Sequence, residues 1–333
     1  MSQSINHRYR PTVAPLLLVV WLVAGVSTIP TLAQDEPVSL RPQWTAGQTA
    51  RYEFRTQSTK EETAELAGQS ETGTTVYLNE GQATWRVEEV AEDGSSVCTM
   101  SLDAMKVTIT PPQGEAVTVD SANPTGEIPV FDTLLAAMVQ TKLTVYVNPD
   151  GSIERVEGVD AMKQAAGPDV ADSVPDEIDF QETASELATL IAAPAEAGPG
   201  DTWRAQNTWA LEDILPGMLN IETMADFDTT FTLEQLGRVQ DVPVAAVRFR
   251  SVMDVKADLS KLPDGVADVD LRVGEASARG ELLFDLSRHE TIARNDVQSY
   301  TVNLTVPLRP GMNLNATIKQ TTTSQVLRIE ENE

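Results

Sequence analysis

Two short segments with the same pattern constrain the fold of this chain more than any other feature. Residues 44–51 read WTAGQTAR and residues 197–204 read AGPGDTWR, and both contain Gly-x-Thr-x-Arg. In each segment a strand-like run follows the glycine. We therefore expect two similar halves, each opening with one of these segments.

Two further echoes follow in the same order. Residues 84–88 resemble residues 230–234, and the strand and turn at 145–155 resemble those at 284–294. The echoes favour an internal duplication. The alternative is a chance likeness between amphipathic strands, because such strands share one pattern of apolar residues.

Alternation of apolar and polar side chains, the period of a half-buried strand, runs through much of the chain. The first predicted strand starts at Thr49. Further strands are predicted at 83–90, 97–109, 143–147, 152–156, 229–236, 243–255, 278–286, 291–306 and 312–329. Residues 58–74 are interpreted as a loose loop or a weakly specified hairpin, and residues 111–129 as a long loop rich in Pro, Gly and acids.

Short amphipathic helices are predicted over 131–141, 159–166 and 176–192. From Phe131 the apolar residues recur at i, i+3, i+4 and i+7, and Asp132 lies in the first turn, where it complements the helix dipole. The expected fold is mainly β, with antiparallel sheet in two similar halves and helices packed on the apolar face. Its divisions are a signal peptide (1–33), a first half (34–158), a helical connector (159–196) and a second half (197–333).

The first residues have the pattern of an export signal. Arg8 and Arg10 precede an apolar run at 13–26, and Ala33 offers a small residue at the cleavage position. A retained anchor helix is the alternative, but the run is shorter than the ~20 residues that a bilayer span needs. We expect cleavage after Ala33, a periplasmic or extracellular location, and no membrane span in the mature chain.

The charge balance is strongly acidic. The full chain has a net charge of −26, and loss of residues 1–33 leaves 22 basic and 50 acidic residues, a net charge of −28. Such a surface repels nucleic acid and anionic lipid, and it favours a cationic partner or simply a well-solvated surface.

Candidates for catalysis are few. Cys98, the single cysteine, alternates with apolar residues and is interpreted as buried core, so no internal disulfide can form. His289 is the one histidine of the mature chain and lies in a turn, where solvation is the common outcome. Because no Gly-x-Ser-x-Gly segment accompanies it, a serine hydrolase is not expected.

Metal and cofactor sites are not expected either. One histidine and one cysteine leave almost no ligands for zinc, copper or iron. The acidic run 258–270 lacks the spacing of an EF-hand, and no phosphate-binding loop or dinucleotide fingerprint is present. A carboxylate pair could hydrolyse glycosides, but the sequence singles out no such pair among fifty acids.

Three motifs bear on the family of the chain, namely Trp44, Gly47 and Tyr52 at the start, the Pro-Asp-Gly-x-Ile turn at 149–153 and GPGDTW at 198–203. With these motifs the chain resembles a family of exported bacterial proteins known only as a domain of unknown function. The resemblance implies no activity and transfers no functional residue. The expected plan is also similar, at the level of the fold alone, to periplasmic carriers of lipids and lipoproteins.

Two functions are compatible with the sequence. The first, which we favour, is a non-catalytic envelope or extracellular protein that acts through its acidic surface. The second is a carrier of an apolar, lipid-like ligand in a cavity between a curved sheet and its helices. Residues that would line such a cavity are Cys98, Met100, Leu102, Phe249, Phe284, Leu304 and Ile318. The same residues would be ordinary core if the two halves pack on each other.

Overall fold

The computed structural model describes residues 37–188, 192–210, 222–258, 270–274, 276–309 and 312–329. The expected signal peptide, residues 211–221 and most of the acidic run 258–270 lie outside these ranges. The strands β1 to β13 are, in chain order, Thr49–Leu66, Gln69–Val90, Ser96–Thr110, Val117–Asp120, Lys142–Val147, Ile153–Glu157, Thr202–Ala210, Glu222–Val239, Val242–Asp258, Asp270–Val273, Ser277–Asp285, Glu290–Arg309 and Met312–Ile329. The helices α1 to α3 are Pro129–Gln140, Val159–Ala166 and Glu177–Ala188, and a short 3-10 helix occupies Ala171–Ser173.

All thirteen strands belong to one open antiparallel sheet. Its order is β6-β5-β3-β2-β1-β13-β12-β11-β9-β8-β7, and β4 and β10 add short pairings to β3 and β12. The edge strands are therefore β6 and β7. The prediction of a mainly β, antiparallel fold with a few short helices is confirmed.

The two halves of the sheet share one pairing order. Strands β1-β2-β3-β5-β6 pair in the same succession as β7-β8-β9-β11-β12, and β13 lies between the halves. The opening segments are held alike, because Gly47 N donates to Val87 O and Gly200 N donates to Leu233 O, both at 2.7 Å. Gly47 and Gly200 have φ of +87° and +94°, a region that favours glycine.

Residues 58–74 form a β-hairpin, which is one of the two structures predicted for this segment, and not a loose loop. Strands β1 and β2 remain paired as far as Leu66 and Gln69, and the turn between them is Ala67-Gly68. On its other side β1 pairs with β13 out to Leu314. Pairing with strands on both sides explains why a polar, Thr-rich stretch is a strand. Strand β4 likewise lies within the predicted loop 111–129.

The core divides into clusters on one face of the sheet, which we call the inner face. In the first half, the inner face packs against α1, α2 and α3 through Met100, Leu135, Met162 and Phe180. The second half has three smaller clusters, all of which contain only strand and loop residues among those described. Helix α3 contacts both edge strands, so the sheet curls and brings its two edges to the same helix.

One close approach fixes the packing of the second half. Gly280 of β11 pairs with Phe249 of β9 and with Asp296 of β12. A Cβ on Gly280 would lie 2.4 Å from Asn295 O and 2.5 Å from the Phe249 ring. Glycine at this position therefore allows the ring to cover the backbone.

We expect Gly280→Ala to lower the free energy of unfolding by about 1–3 kcal/mol, because backbone and ring must both shift. Urea denaturation measures the loss. The control is Gly274→Ala, where the nearest atom to the added Cβ is 3.5 Å away, and we expect a change within about 0.5 kcal/mol there. Equal losses in the two variants would contradict this account of Gly280.

Candidate functional site

The seven residues predicted to line a cavity are all buried on the inner face, in four separate clusters. Cys98, Met100 and Leu102 lie in the first-half cluster under the helices. Phe249 and Phe284 share the second cluster, Ile318 lies in the third and Leu304 in the fourth. Burial raises the pKa of the Cys98 thiol to about 12. The structure therefore does not bring the seven together around one site.

A buried charge cluster lies where the two halves meet, and no sequence motif predicted it. Arg328 of β13 donates to Asp285 Oδ2 at 3.2 Å and also to Glu290 Oε1. Gln48, which precedes β1, donates to Glu290 Oε2 at 3.3 Å. We call Arg328, Asp285, Glu290 and Gln48 the junction cluster. It joins the start of the first half to the β11–β12 turn through the last strand.

The two carboxylates of the junction cluster have opposite pKa shifts. Burial raises the pKa of Glu290, although the charge of Arg328 opposes the shift. Burial acts on Asp285 in the same direction, but hydrogen bonds from Ser287 and Arg288 and the charge of Arg328 together lower its pKa. Because Arg328 contacts both acids, loss of Arg328 would leave buried negative charge poorly compensated. Both carboxylates are engaged by the guanidinium, so neither is positioned as a general base.

A second buried ion pair lies farther along β12. Arg294 Nε donates to Asp296 Oδ1 at 3.0 Å, and the exposed fractions of the two side chains are 13% and 1%. The Arg294 guanidinium also lies 5.1 Å from the centre of the Phe249 ring. Burial raises the pKa of Asp296 despite the charge of Arg294.

We expect this shift to make stability fall as pH rises. A carboxyl whose pKa is higher in the folded state binds more protons folded than unfolded at any pH between the two pKa values. Stability therefore declines across that window, upward from a pH near 4. Asp296→Asn should weaken this decline when the free energy of unfolding is measured by urea denaturation at pH 4, 5, 6 and 7. Asp270→Asn, at an exposed acid, is the control, and an unchanged slope in Asp296→Asn would contradict the assignment.

His289 follows Asp285 in the β11–β12 turn and adopts a φ of +54°. Its backbone N donates to Asp285 O at 2.9 Å, and its ring lies edge-on to Phe284. Burial lowers the pKa of the imidazole. Ser287 Oγ donates to Asp285, and no described hydrogen bond joins Ser287 to His289. A serine–histidine–aspartate relay needs that bond, so this turn does not have the geometry of one.

The helical layer, residues 159–196, has an apolar side and an acidic side. Its apolar side chains are buried against the sheet, among them Val159, Met162, Phe180 and Leu187. The segment contains nine acidic residues and one basic residue, Lys163. Asp160, Asp169, Asp172 and Glu177 are exposed. The layer therefore presents a concentrated negative surface to solvent.

Within the described ranges, no group of three or more His, Cys, Asp or Glu side chains could hold a metal ion. The described helices include none that is both long and apolar enough to cross a membrane.

Comparison with known proteins gives a family without a function. Residues 93–184 match the model of DUF6263, a family of unknown function. The segment includes β3, α1 and most of the helical layer. The predicted resemblance to a domain of unknown function is confirmed over this segment. No curated protein matches the sequence.

Solved structures give distant likenesses of the fold. Lipovitellin, a structure described for its lipid–protein interactions, is 11% identical with a TM-score of 0.42, over 86% of this chain and 26% of that chain. The outer membrane protein OprG from Pseudomonas aeruginosa is 7% identical with a TM-score of 0.23, over 86% of this chain and 98% of that chain. OccAB4 from Acinetobacter baumannii is 5% identical with a TM-score of 0.18, over 86% of this chain and 99% of that chain. The chain thus spans about a quarter of the lipovitellin chain, and its family match remains the domain of unknown function.

Proposed function

We propose that this protein is an exported, non-catalytic component of the cell envelope or extracellular space that binds a cationic partner through its helical layer. The observation that carries the proposal is the charge of that layer, with nine acidic residues against one lysine in residues 159–196. The buried apolar side of the layer already covers the sheet, so its acidic side remains available for a partner.

Two of the acidic groups act directly on each other. Exposed charges interact across about 8 Å at physiological ionic strength. Asp179 shows the effect of negative charge nearby. Burial and the charge of Asp176 raise the pKa of Asp179, although a backbone hydrogen bond at Asp176 opposes the shift. A field of this kind attracts basic segments and speeds their encounter with the protein.

The buried charged residues support a non-catalytic role. Arg328 is held by two carboxylates and Arg294 by one. The Arg328 group connects β11, β12 and β13, whereas Arg294 and Asp296 pair within β12. A catalytic acid or base must reach a proton on a substrate, and these carboxylates are instead engaged by arginine.

A cationic probe tests the proposed surface. The variant D160N/D169N/D172N/E177Q removes four exposed charges from the layer. Its affinity for a polylysine peptide of about 20 residues, measured by calorimetry at physiological salt, should fall at least about tenfold, or 1.4 kcal/mol. The matched control E53Q/E61Q/E65Q/E71Q removes four exposed charges from the β1–β2 hairpin. Equal losses in both variants would show that net charge, and not the helical layer, attracts the probe.

Export needs its own experiment. Cell fractionation should place the protein outside the cytoplasm, and intact-mass measurement should show a chain beginning after Ala33. A mass that includes residues 1–33 would contradict cleavage.

An apolar-ligand carrier is the second candidate, and one observation favours it. The ends of β12 and β13 near Arg309 and Met312 carry buried apolar side chains on the inner face, including Val302, Leu304 and Ile318. Their clusters contain no residue of a described helix. Native mass spectrometry after gentle extraction is the test, in which stoichiometric lipid would favour the carrier and an apo mass would exclude it.

A further inference from the structure

The outer face of the second half, opposite the helices, contains an open groove of about 950 Å³. Strands β9, β11, β12 and β13 form its floor and walls. Its lining includes Arg250 and Arg279 together with the neutral side chains of Ser277, Ser299, Thr323 and Gln325. This size lies within the range of small-molecule sites in proteins, about 300–1,000 Å³.

Arg250 of β9 and Arg279 of β11 lie directly opposite each other in this groove. Both are exposed, and neither forms an ion pair with any described residue. Arg248, two residues along β9, differs from both. It lies 3.1 Å from Glu234 and 3.6 Å from Glu281. The positive charges of Arg250 and Arg279 are therefore not compensated by an ion pair with a described residue, unlike the charge of Arg248.

The cross-strand row through these arginines contains no carboxylate. Thr230 pairs with Arg250, Arg279 pairs with Val297, and Val297 pairs with Thr323. Like charges directly opposite on a sheet are destabilising. Acidic residues outnumber basic ones by 50 to 24 in this chain, so two facing arginines without an ion pair to a described residue are an exception to its composition. The nearby carboxylate on the outer-face lining, Glu281, is paired with Arg248 at 3.6 Å.

We propose that this groove binds an oxyanion carried by a small polar molecule, with the anion held between Arg250 and Arg279. Guanidinium groups bind phosphate and carboxylate through paired N–H donors, and an anion between two of them removes their repulsion. The neutral hydroxyl and amide groups along the walls can form hydrogen bonds with a ligand whose remaining part is rich in hydroxyl groups. The ligand class is therefore a phosphorylated or carboxylated sugar. This groove lies on the outer face of the sheet, whereas the helical layer packs on the inner face. The groove proposal therefore does not depend on the proposed cationic partner.

Calorimetric titration with three probes tests the site, namely inorganic phosphate, glucose 6-phosphate and glucuronate. We expect saturable binding of at least one probe, weakened about tenfold or more in Arg250→Gln and in Arg279→Gln, since each removes one of two charged donors. Arg86→Gln is the matched control, because Arg86 is an exposed arginine on the outer face of the first half. Its binding should equal that of the wild-type protein.

The probes also distinguish the sources of the anion. Equal affinity for phosphate and glucose 6-phosphate would support a site for the free oxyanion, whereas tighter binding of either sugar derivative would support the sugar-borne one. Thermal unfolding shows that each variant is folded, and because neither arginine is buried the variants should unfold near the wild-type temperature. Absence of saturable binding by all three probes, or unchanged binding in both arginine variants, would overturn the proposal.

Discussion

Replacement of Arg328 by methionine should lower the free energy of unfolding by about 3–5 kcal/mol, because Asp285 then loses its buried cation and Glu290 keeps only the exposed Arg288, at 3.9 Å. The exposed fractions of the Arg328, Asp285 and Glu290 side chains are only 4%, 1% and 4%, so water cannot replace the lost partner. The loss should be largest near neutral pH, where Asp285, with its lowered pKa, is ionised.

Urea denaturation measures this loss, with Lys319→Met as the control. Lys319 lies on the same strand, its side chain is 61% exposed, and it pairs with Glu61 at 3.7 Å. An exposed pair of this kind contributes about 0–1 kcal/mol. The triple variant D285N/E290Q/R328M removes all three charges and should recover part of the stability that R328M loses. A loss below about 1 kcal/mol for R328M would contradict the role of the junction cluster.

The local pattern of the sequence predicted the repeat because the repeat is built from short-range features. A glycine of positive φ opens each half, and the next strand returns to it through the same pair of hydrogen bonds. Even an irregularity is shared, since the pairing of β2 with β3 skips Glu88 and that of β8 with β9 skips Glu234. Both glutamates end the matched segments 84–88 and 230–234. The agreement favours duplication over chance likeness.

The third echo shows the limit of this matching. The sequence alignment sets Val145 beside Phe284, but Cys98 pairs with Val145 while its counterpart Val247 pairs with Leu282. The true partner in the repeat is therefore Leu282. Period-two patterns look alike after a shift of two residues, so only the pairing with neighbouring strands fixes the register.

The position of β13 and the junction cluster could not be read from local patterns. Tyr52 pairs with Arg328 across almost the whole length of the chain. A lone arginine near the end of a strand has no sequence signal that identifies two acids in a distant turn as its partners. The facing arginines of the groove have the same origin, because Arg250 and Arg279 meet only after β9 and β11 pair.

Truncation of Phe284 to alanine should destabilise the protein by about 3–5 kcal/mol, the cost of removing a large ring from a packed core. Phe284 is fully buried in a cluster with Leu282, Val247 and Phe249. It also packs edge-on against His289 beside the junction cluster. The result matters for function, since Phe284 was predicted either to line a ligand cavity or to belong to the core.

The two roles predict different outcomes for Phe284→Ala. A core residue leaves a cavity that the surrounding side chains cannot fill, so stability falls by the full amount in ligand-free protein. A side chain facing a ligand cavity would lose fewer contacts, and the free energy of unfolding would change by less than about 1 kcal/mol. Val252→Ala, at a side chain 64% exposed on β9, is the control and should stay within about 0.5 kcal/mol. A change of less than about 1 kcal/mol in the free energy of unfolding would favour the apolar-ligand function. A loss of about 3–5 kcal/mol would assign Phe284 to the core.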